Sequence, residues 1–500
     1  MKRIIKSITG CVVFIIILTI VLTRVNSVMQ PKYYLYNSNW PSTSTFRQFY
    51  EMDRNSIDVL FLGSSVAVNN FIPQQLYNNY GIRSYNLASE QQSIILSYYW
   101  LKEALRFQTP RIVVIEPYFL QDLHPDMPIN TTEGLTRKAI DPMHMSKIKM
   151  EAARDICERD PDQTTISYYL TNFRYHMRWK DLSQGDFISD KYSYPRLFGW
   201  APGREGLVQI EPFEESDEDK TFQFRDDMVE YLEKMVQLCN EKGIKLIMVK
   251  IPQGGENIQR IDYAYRQLAE QYGLDYYNFR EKSLYEKMNI DPSTERVQGH
   301  GNLYGNYKNS ALLGKILKEN YNLPTVRDPQ YEETRGDYEY VCTSFSLTQI
   351  VDIDEYLHAV NRPNFIVMIS VKDEAVNGLK DSTKDILTEI GLTACWDKDT
   401  MYRHAYYAVI KDGTILEKQA KEKGGEPITT EGSFNKLRNH YTIKSAGYED
   451  MGGSYSSIII DGKEYSLNSR GLNIVVYDKY LCKVVDSVCF DTYGDSSIKR

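Results

Sequence analysis

The sequence predicts an α/β protein: a parallel sheet with helices on both faces, then a smaller β-rich α+β domain, with one transmembrane helix in front. Three observations carry this. Apolar strands alternate with helical stretches from Ile57 to Tyr321, the rhythm of a parallel sheet. Beyond a charged, turn-rich stretch from Pro324 to Asp337 the texture becomes strand-rich, which marks a domain boundary. The chain opens with a basic flank and a long apolar run.

That run starts the organisation. Lys2, Arg3 and Lys6 precede the apolar segment Ile8–Leu22, and Arg24 closes it. Counted from Ile4 it is roughly 20 residues long, enough to span a bilayer. The basic flank is expected to stay cytoplasmic, with the remainder outside. No small-x-small cleavage site follows the run, so residues 1–24 are expected to be an uncleaved signal anchor rather than a signal peptide. The protein is then expected in the cell membrane, single-pass, with most of the chain extracytoplasmic. Residues 25–50, with Pro31, Pro41 and several Asn, Ser and Thr, read as a stalk.

In the α/β domain, expected at 51–325, the elements follow in order. Ile57–Phe61 is a strand, Pro73–Tyr80 a short helix, Ser84–Leu87 a strand, Ser93–Phe107 an amphipathic helix and Arg111–Ile115 a strand. Met228, Tyr231, Leu232, Met235 and Leu238 recur at helical spacing within Asp226–Lys242, and Gly243 ends that helix. Lys245–Lys250 (strand), Ile258–Tyr272 (helix), Asp275–Tyr277 (strand) and Gly305–Tyr321 (helix) complete the pattern. Residues 120–222 interrupt it, with Tyr175, His176, Trp179, Tyr192, Tyr194 and Trp200. An insertion after a strand's carboxyl end suits a lid or substrate platform; a structural helical insertion is the even alternative. In the last domain, expected at 338–500, Phe365–Val371, Ala405–Ile410, Ser456–Ile460, Leu472–Tyr477 and Val484–Phe490 read as strands and Thr383–Ile390 as a helix, with Asp461-Gly462 a hairpin turn.

Composition narrows the function classes. Net charge is −8 with both signs interspersed, so nothing resembles a nucleic-acid-binding stripe. The seven cysteines include Cys11 in the apolar run, and none of the others is spaced like a zinc clip. Cys482 and Cys489 are either a pair in the last domain or buried thiols. No metal site or cofactor is readable. Tyrosine is abundant at 39 residues; its flat apolar face and polar tip suit sugar-rich partners, although a compositional habit explains it equally well.

The chemistry lies at strand ends. Asp58-Val-Leu-Phe-Leu-Gly-Ser-Ser-Val66 is an apolar run that stops at Gly63-Ser64-Ser65. A buried parallel strand delivers a hydroxyl to the sheet's carboxyl edge in this way. His300-Gly-Asn-Leu-Tyr-Gly305 places a histidine in a glycine-rich loop ahead of a helix. Serine early and histidine late suit a nucleophile and its base. Asn86-Leu-Ala-Ser-Glu-Gln-Gln92 follows the second strand and offers oxyanion donors, and Glu116 sets a carboxylate at the same edge.

Gly-Ser-Ser at the first strand, Asn-Leu-Ala-Ser after the second and His-x-Asn-x-x-Gly before the last helix resemble the SGNH/GDSL hydrolase superfamily, over roughly residues 55 to 325. The nearest likeness is to its membrane-anchored branch that acylates envelope polymers. The resemblance implies a flavodoxin-like three-layer sandwich and acyl-ester chemistry, with Ser65 as nucleophile and His300 as base. The sequence departs from it in three places. Position 297, where the family carries the acid of the triad, is valine. Glu116, Glu295 or Asp291 would have to substitute. The oxyanion glycine of the second block is Gln91, and the asparagine of the third block is absent.

In the last domain, Gly471-Leu-Asn-Ile-Val-Val-Tyr-Asp478, Val484–Tyr493 and Ile353–Leu357 resemble the interleukin-like EMT inducer (ILEI/PANDER-like) family, with its halves in reversed order. That resemblance implies a glycan- or protein-binding module; Tyr455, Tyr465 and Tyr477 are its candidate sugar-facing residues or simple packing.

Two functions follow as expectations. One is a surface acyl-ester enzyme, an O-acyltransferase or esterase on an exported or envelope glycan. Ser65 and His300 would be catalytic, and N–H groups near Ser65 and Gln92 would hold the oxyanion. By analogy its partner is a membrane acyl donor protein, an O-acyltransferase. The other is a catalytically degenerate surface protein that binds glycan or protein, favoured by Val297 and Gln91. A purely structural envelope protein is the remaining reading.

Overall fold

The computed structural model describes residues 2–31, 42–182, 184–187, 195–202, 222–253, 258–420, 422–435, 439–479, 481 and 483–500. The chain forms two compact units, Met1–Tyr338 and Glu339–Arg500.

The first unit opens with helix α1 (Lys2–Met29). An 18-residue window within its Lys6–Met29 stretch has a mean hydropathy of 2.5, and the stretch is long and apolar enough to cross a membrane. Helix α2 (Ser42–Phe49) follows. Phe46 and Phe49 are fully buried, and Phe46 stacks on Trp100 at 4.2 Å. The span expected as a stalk therefore contributes to the core; residues 32–41 of it lie outside the described residues. Strands β1 (Val59–Leu62), β2 (Ser84–Asn86), β3 (Ile112–Ile115), β4 (Lys245–Lys250) and β5 (Asp275–Asn278) form one sheet in the order β2-β1-β3-β4-β5. Every pairing is parallel.

Helices α3 (Ser65–Asn70), α4 (Pro73–Tyr80), α5 (Ile94–Ala104), α6 (Glu133–Ile140), α7 (Lys147–Arg159), α8 (Thr165–Tyr169), α9 (Asn172–Tyr175), α10 (Asp226–Lys242), α11 (Ile258–Tyr272), α12 (Lys282–Tyr285) and α13 (Leu303–Asn320) connect and cover it. Alternate strand residues explain the two layers. Leu60, Leu62, Val113, Ile115, Leu246 and Met248 join one apolar core with α5 and α10. Val59, Phe61, Ile112, Val114, Ile247 and Val249 join the other with α3, α4 and α13. Strands buried on both faces read as continuous apolar runs.

The described part of the insertion carries helices α6 to α9. Ala139, Ile140, Ala152, Ala153, Ile156 and Tyr168 belong to the α5/α10 core, and Trp100 Nε1 donates to Ala139 O (3.0 Å). Within residues 133–169 the structural alternative describes the packing. Tyr192 and Tyr194 lie outside the described residues.

Helix α14 (Pro329–Ser346) occupies much of the stretch expected as a linker. The reason is chemical: proline is tolerated in a helix's first turn, where its missing N–H costs nothing. In the second unit, helices α15 (Ile353–Val360), α16 (Asp381–Glu389) and α17 (Lys398–Met401) accompany strands β6 (Phe365–Asp373), β7 (Tyr406–Lys411), β8 (Thr414–Gln419), β9 (Ile428–Phe434), β10 (Asn439–Gly447), β11 (Tyr455–Ile460), β12 (Lys463–Glu464), β13 (Gly471–Asp478), β14 (Lys483–Asp491) and β15 (Ser497–Lys499). These strands form one ten-stranded sheet among the described residues, with β6 between β10 and β13. Tyr477 is buried against Phe434, a packing position, whereas Tyr455 and Tyr465 are half-exposed. Cys489 is a free buried thiol, and Cys482 lies outside the described residues.

Candidate active site

The strand order reverses direction between β1 and β3, and in open parallel sheets the crevice beyond the carboxyl ends at such a point is where ligands bind. Ser65 follows β1 and Glu116 follows β3. Gly63 makes the turn possible: it adopts φ +148°, and a Cβ there would sit 2.9 Å from Glu116 Cβ. The two serines then divide the work. Ser64 is the N-cap of α3, its hydroxyl accepting from Val66 N (3.3 Å). Ser65, in the first turn, is nearly buried at 5% exposure. Its N–H belongs to the helix-terminal set that has no intrahelical acceptor.

Helix α3 is held by two neighbouring segments. Asn86, at the end of β2, donates to Ala67 O (2.7 Å) and Phe71 O (3.2 Å). Asn69 donates to Ala201 O (2.8 Å), and Trp200 Nε1 returns a bond to Asn69 O (2.9 Å).

His300 arrives on the loop before α13, and its Nε2 lies 2.7 Å from Ser65 Oγ. The glycines of this motif have a steric cause: a Cβ at Gly301 or Gly305 would fall 1.8 or 2.1 Å from Arg296 O. Asn302 caps α13, accepting from Gly305 N and Arg296 N (3.0 Å each). Asn70, from the serine helix itself, donates to Gly299 O (2.8 Å), and Asn309 donates to Asn70 Oδ1 (2.7 Å) and Val297 O (3.0 Å). Val297 is a core residue, 1% exposed.

The carboxylates have separate surroundings. Glu116 is buried; Ser64 Oγ donates to it over 3.4 Å, and its Oε1 has no hydrogen-bond partner among the described residues. Burial pushes its carboxyl up to about 7, opposed chiefly by the charge of Lys250. Lys250 is itself buried, 3.6 Å from buried Asp262. Glu295 pairs with Lys308 (3.4 Å) and accepts from Asp291 N (2.6 Å). Asp291 accepts from Ser293 and Thr294.

Among the described residues, the carboxylate whose charge reaches the His300 ring is Glu90, which favours the imidazolium. Loss of hydration acts the other way, dominates, and sets the imidazole below its ordinary value. His300 keeps an exposed surface overall. Glu90 is paired with Lys138 (3.0 Å).

The turn bearing Glu90 is braced internally. Gln92 is buried; its N–H donates to Ser89 O (3.2 Å) and its amide to Leu87 O (3.1 Å) and Ser97 Oγ (3.0 Å). The donors expected of Gln92 are thus engaged inside the turn. Gln91 adopts φ +48°, a left-handed conformation that glycine takes freely, and its amide oxygen is 3.0 Å from His124 Nε2.

The structure therefore brings Ser65 and His300 together, sets Glu116 behind Ser64, and engages Glu295 and Asp291 within their own loop. Sequence reasoning missed Glu90, Asn70 and Asn309. Glu90 stood inside the Asn86–Gln92 motif; the two asparagines carried no local signal. Among the described residues no group of three or more His, Cys, Asp or Glu is arranged to hold a metal ion. Compared with protein-family models and with curated proteins, the chain matches none.

Proposed function

We propose that this chain is a membrane-anchored acyl-ester enzyme, an O-acyltransferase or esterase that acts on an exported or envelope glycan. The observation that carries the reading is the 2.7 Å contact between Ser65 Oγ and His300 Nε2 at the sheet's switch point. With Nε2 unprotonated, the serine hydroxyl donates to it, as a nucleophile must to its base. In the reaction Ser65 Oγ attacks the acyl carbonyl while its proton passes to His300. The tetrahedral intermediate expels the donor's alkoxide, which takes that proton. Water or a sugar hydroxyl then gives its proton to His300 and attacks the acyl-serine, and the departing Ser65 Oγ takes that proton back, restoring both residues. The Ser65 N–H would stabilise the oxyanion.

The strand order, a serine after the first strand and a histidine before the last helix support the SGNH/GDSL likeness. The membrane-capable α1 supports a single-pass anchor with the remainder outside the cytoplasm. In the transferase version a membrane protein supplies the acyl group. The second unit, similar to the interleukin-like EMT inducer family, would keep the enzyme on its polymer and raise the local concentration.

The second reading, a degenerate glycan- or protein-binding protein, has two observations in its favour: a buried valine at position 297 in place of an acid, and Gln91 where the likeness expects the oxyanion glycine. The deciding experiment is the release of p-nitrophenol from its acetyl ester, comparing the wild type with Ser65→Ala. Turnover that disappears in the variant supports the serine enzyme. Equal rates move the assignment to the binding protein.

A further inference from the structure

Ile166, Leu170, Phe173, Met177, Trp179 and Phe187 are all solvent-exposed, Phe173 by 60%, Trp179 by 61% and Phe187 by 66%. They fall within 22 residues of the insertion, whose Ala139, Ile140, Ala152, Ala153 and Ile156 are by contrast buried in the α5/α10 core. So dense a set of exposed large apolar side chains on one segment marks an interaction surface.

Its position says with what. The segment is joined to the carboxyl end of α1, the helix able to cross a membrane: Arg178 Nη1 donates to Met29 O (2.5 Å), and Thr171 Oγ1 donates to Asn26 Oδ1. Val25 is the last strongly exposed apolar residue of α1, and the contacts begin at the next residue. The exposed set therefore starts where the helix leaves the hydrocarbon. Its composition fits that level. Tryptophan and phenylalanine beside Arg174, Arg178 and Lys180 are what the headgroup region accommodates, rings facing acyl chains and cations facing phosphates. Arg174 and Arg178 are paired with Glu133 and Asp186, so the apolar side chains rather than net charge provide the attachment.

We infer that residues 166–182 and 184–187 form a collar that lies in the outer headgroup layer of the bilayer crossed by α1, seating the first unit against the membrane. The inference is independent of catalysis and rests on α1 spanning the bilayer.

The test uses the full chain in phosphatidylcholine nanodiscs, one copy per disc, with bromine on the acyl carbons nearest the headgroup. Trp100, Trp200 and Trp396 are buried and Trp40 lies outside the described residues, so the Trp179 component is taken as the difference in emission between wild type and Trp179→Phe. The collar predicts a component quenched by bromolipid, shielded from aqueous iodide and missing from the variant. A Trp179 component quenched by iodide and untouched by bromolipid overturns the collar and leaves a water-facing surface, such as a lid. Shielding from iodide that appears only when several copies share a vesicle also overturns it, in favour of self-association. Flotation after carbonate extraction separates the two premises. A chain that fails to float overturns the anchor and the collar together, whereas a floating chain with water-exposed Trp179 overturns the collar alone.

Discussion

The two halves of the candidate site are held by different means. Ser65 stands on the sheet: β1 is buried along its length, Gly63 permits close passage to Glu116, and Ser64 caps the helix that follows. His300 stands on a loop fixed by side-chain amides, with Asn302, Asn309 and Asn70 satisfying its backbone. In a triad an acid fixes the histidine ring directly. Here position 297 is core, and the amides fix the backbone that carries the ring. The serine side is thus rigid by burial, and the histidine side by a few specific hydrogen bonds. Damage to the second should cost more activity per unit of lost stability.

Asn70→Ala tests that most sharply, because Asn70 alone bridges the serine helix and the histidine loop in this set. The variant leaves Gly299 O and the Asn309 amide short of a partner, at about 1–3 kcal/mol for an unsatisfied buried group. The larger expected effect is on turnover: displacement of the base by about 1 Å costs about 100-fold. Ester hydrolysis measured beside urea unfolding checks both. Full activity at reduced stability would mean that the loop is held elsewhere.

On the serine side the corresponding probe is Glu116→Gln. A carboxyl near 7 in the native state and near 4.5 in the unfolded chain means that the native state binds more protons between those values. Its stability therefore falls as pH rises from about 4.5 to about 7. The shift corresponds to about 3 kcal/mol. The amide removes this dependence, so the variant is expected to gain on wild type at pH 8 and to match it below pH 5. Urea midpoints at the two pH values check it; parallel curves would show that Glu116 stays ionised, held by Lys250.

The sequence showed the sheet because buried parallel strands are continuous apolar runs, and Asp226–Lys242 because its apolar stripe recurs at helical spacing. It hid α3 because six residues ending in Asn69-Asn70 carry no period, and α2 because Ser and Thr dominate its first turn. The first half of helix α14 reads as linker because of its proline and charges. Strands β8 and β9 went unread because they are half-exposed and rich in Glu, Lys and Thr. At the site Ser65 and His300 were legible, since each ends a local motif. Asn70 and Asn309 were not, because their partners are contributed by tertiary contact, 229 and 239 positions away for the two bonds that Asn70 shares with the loop and with Asn309.

Glu90 gives the smallest expected effect and the finest distinction between the two sides. Its charge raises the affinity of His300 for a proton, against the lowering by lost hydration. Glu90→Gln alone would strand Lys138, which is buried and paired with it, so the clean variant is Glu90→Gln with Lys138→Met. Removing the carboxylate lowers the His300 pKa further, and the neutral base then persists to lower pH. The acid limb of kcat/KM, which reports the free enzyme, is expected to move to lower pH while the alkaline plateau changes little. A limb that stays in place would show that Glu90 does not act on the ring. A collapsed plateau would show that the charge does more than set the titration and helps to hold the imidazole in its catalytic orientation, the task position 297 cannot perform.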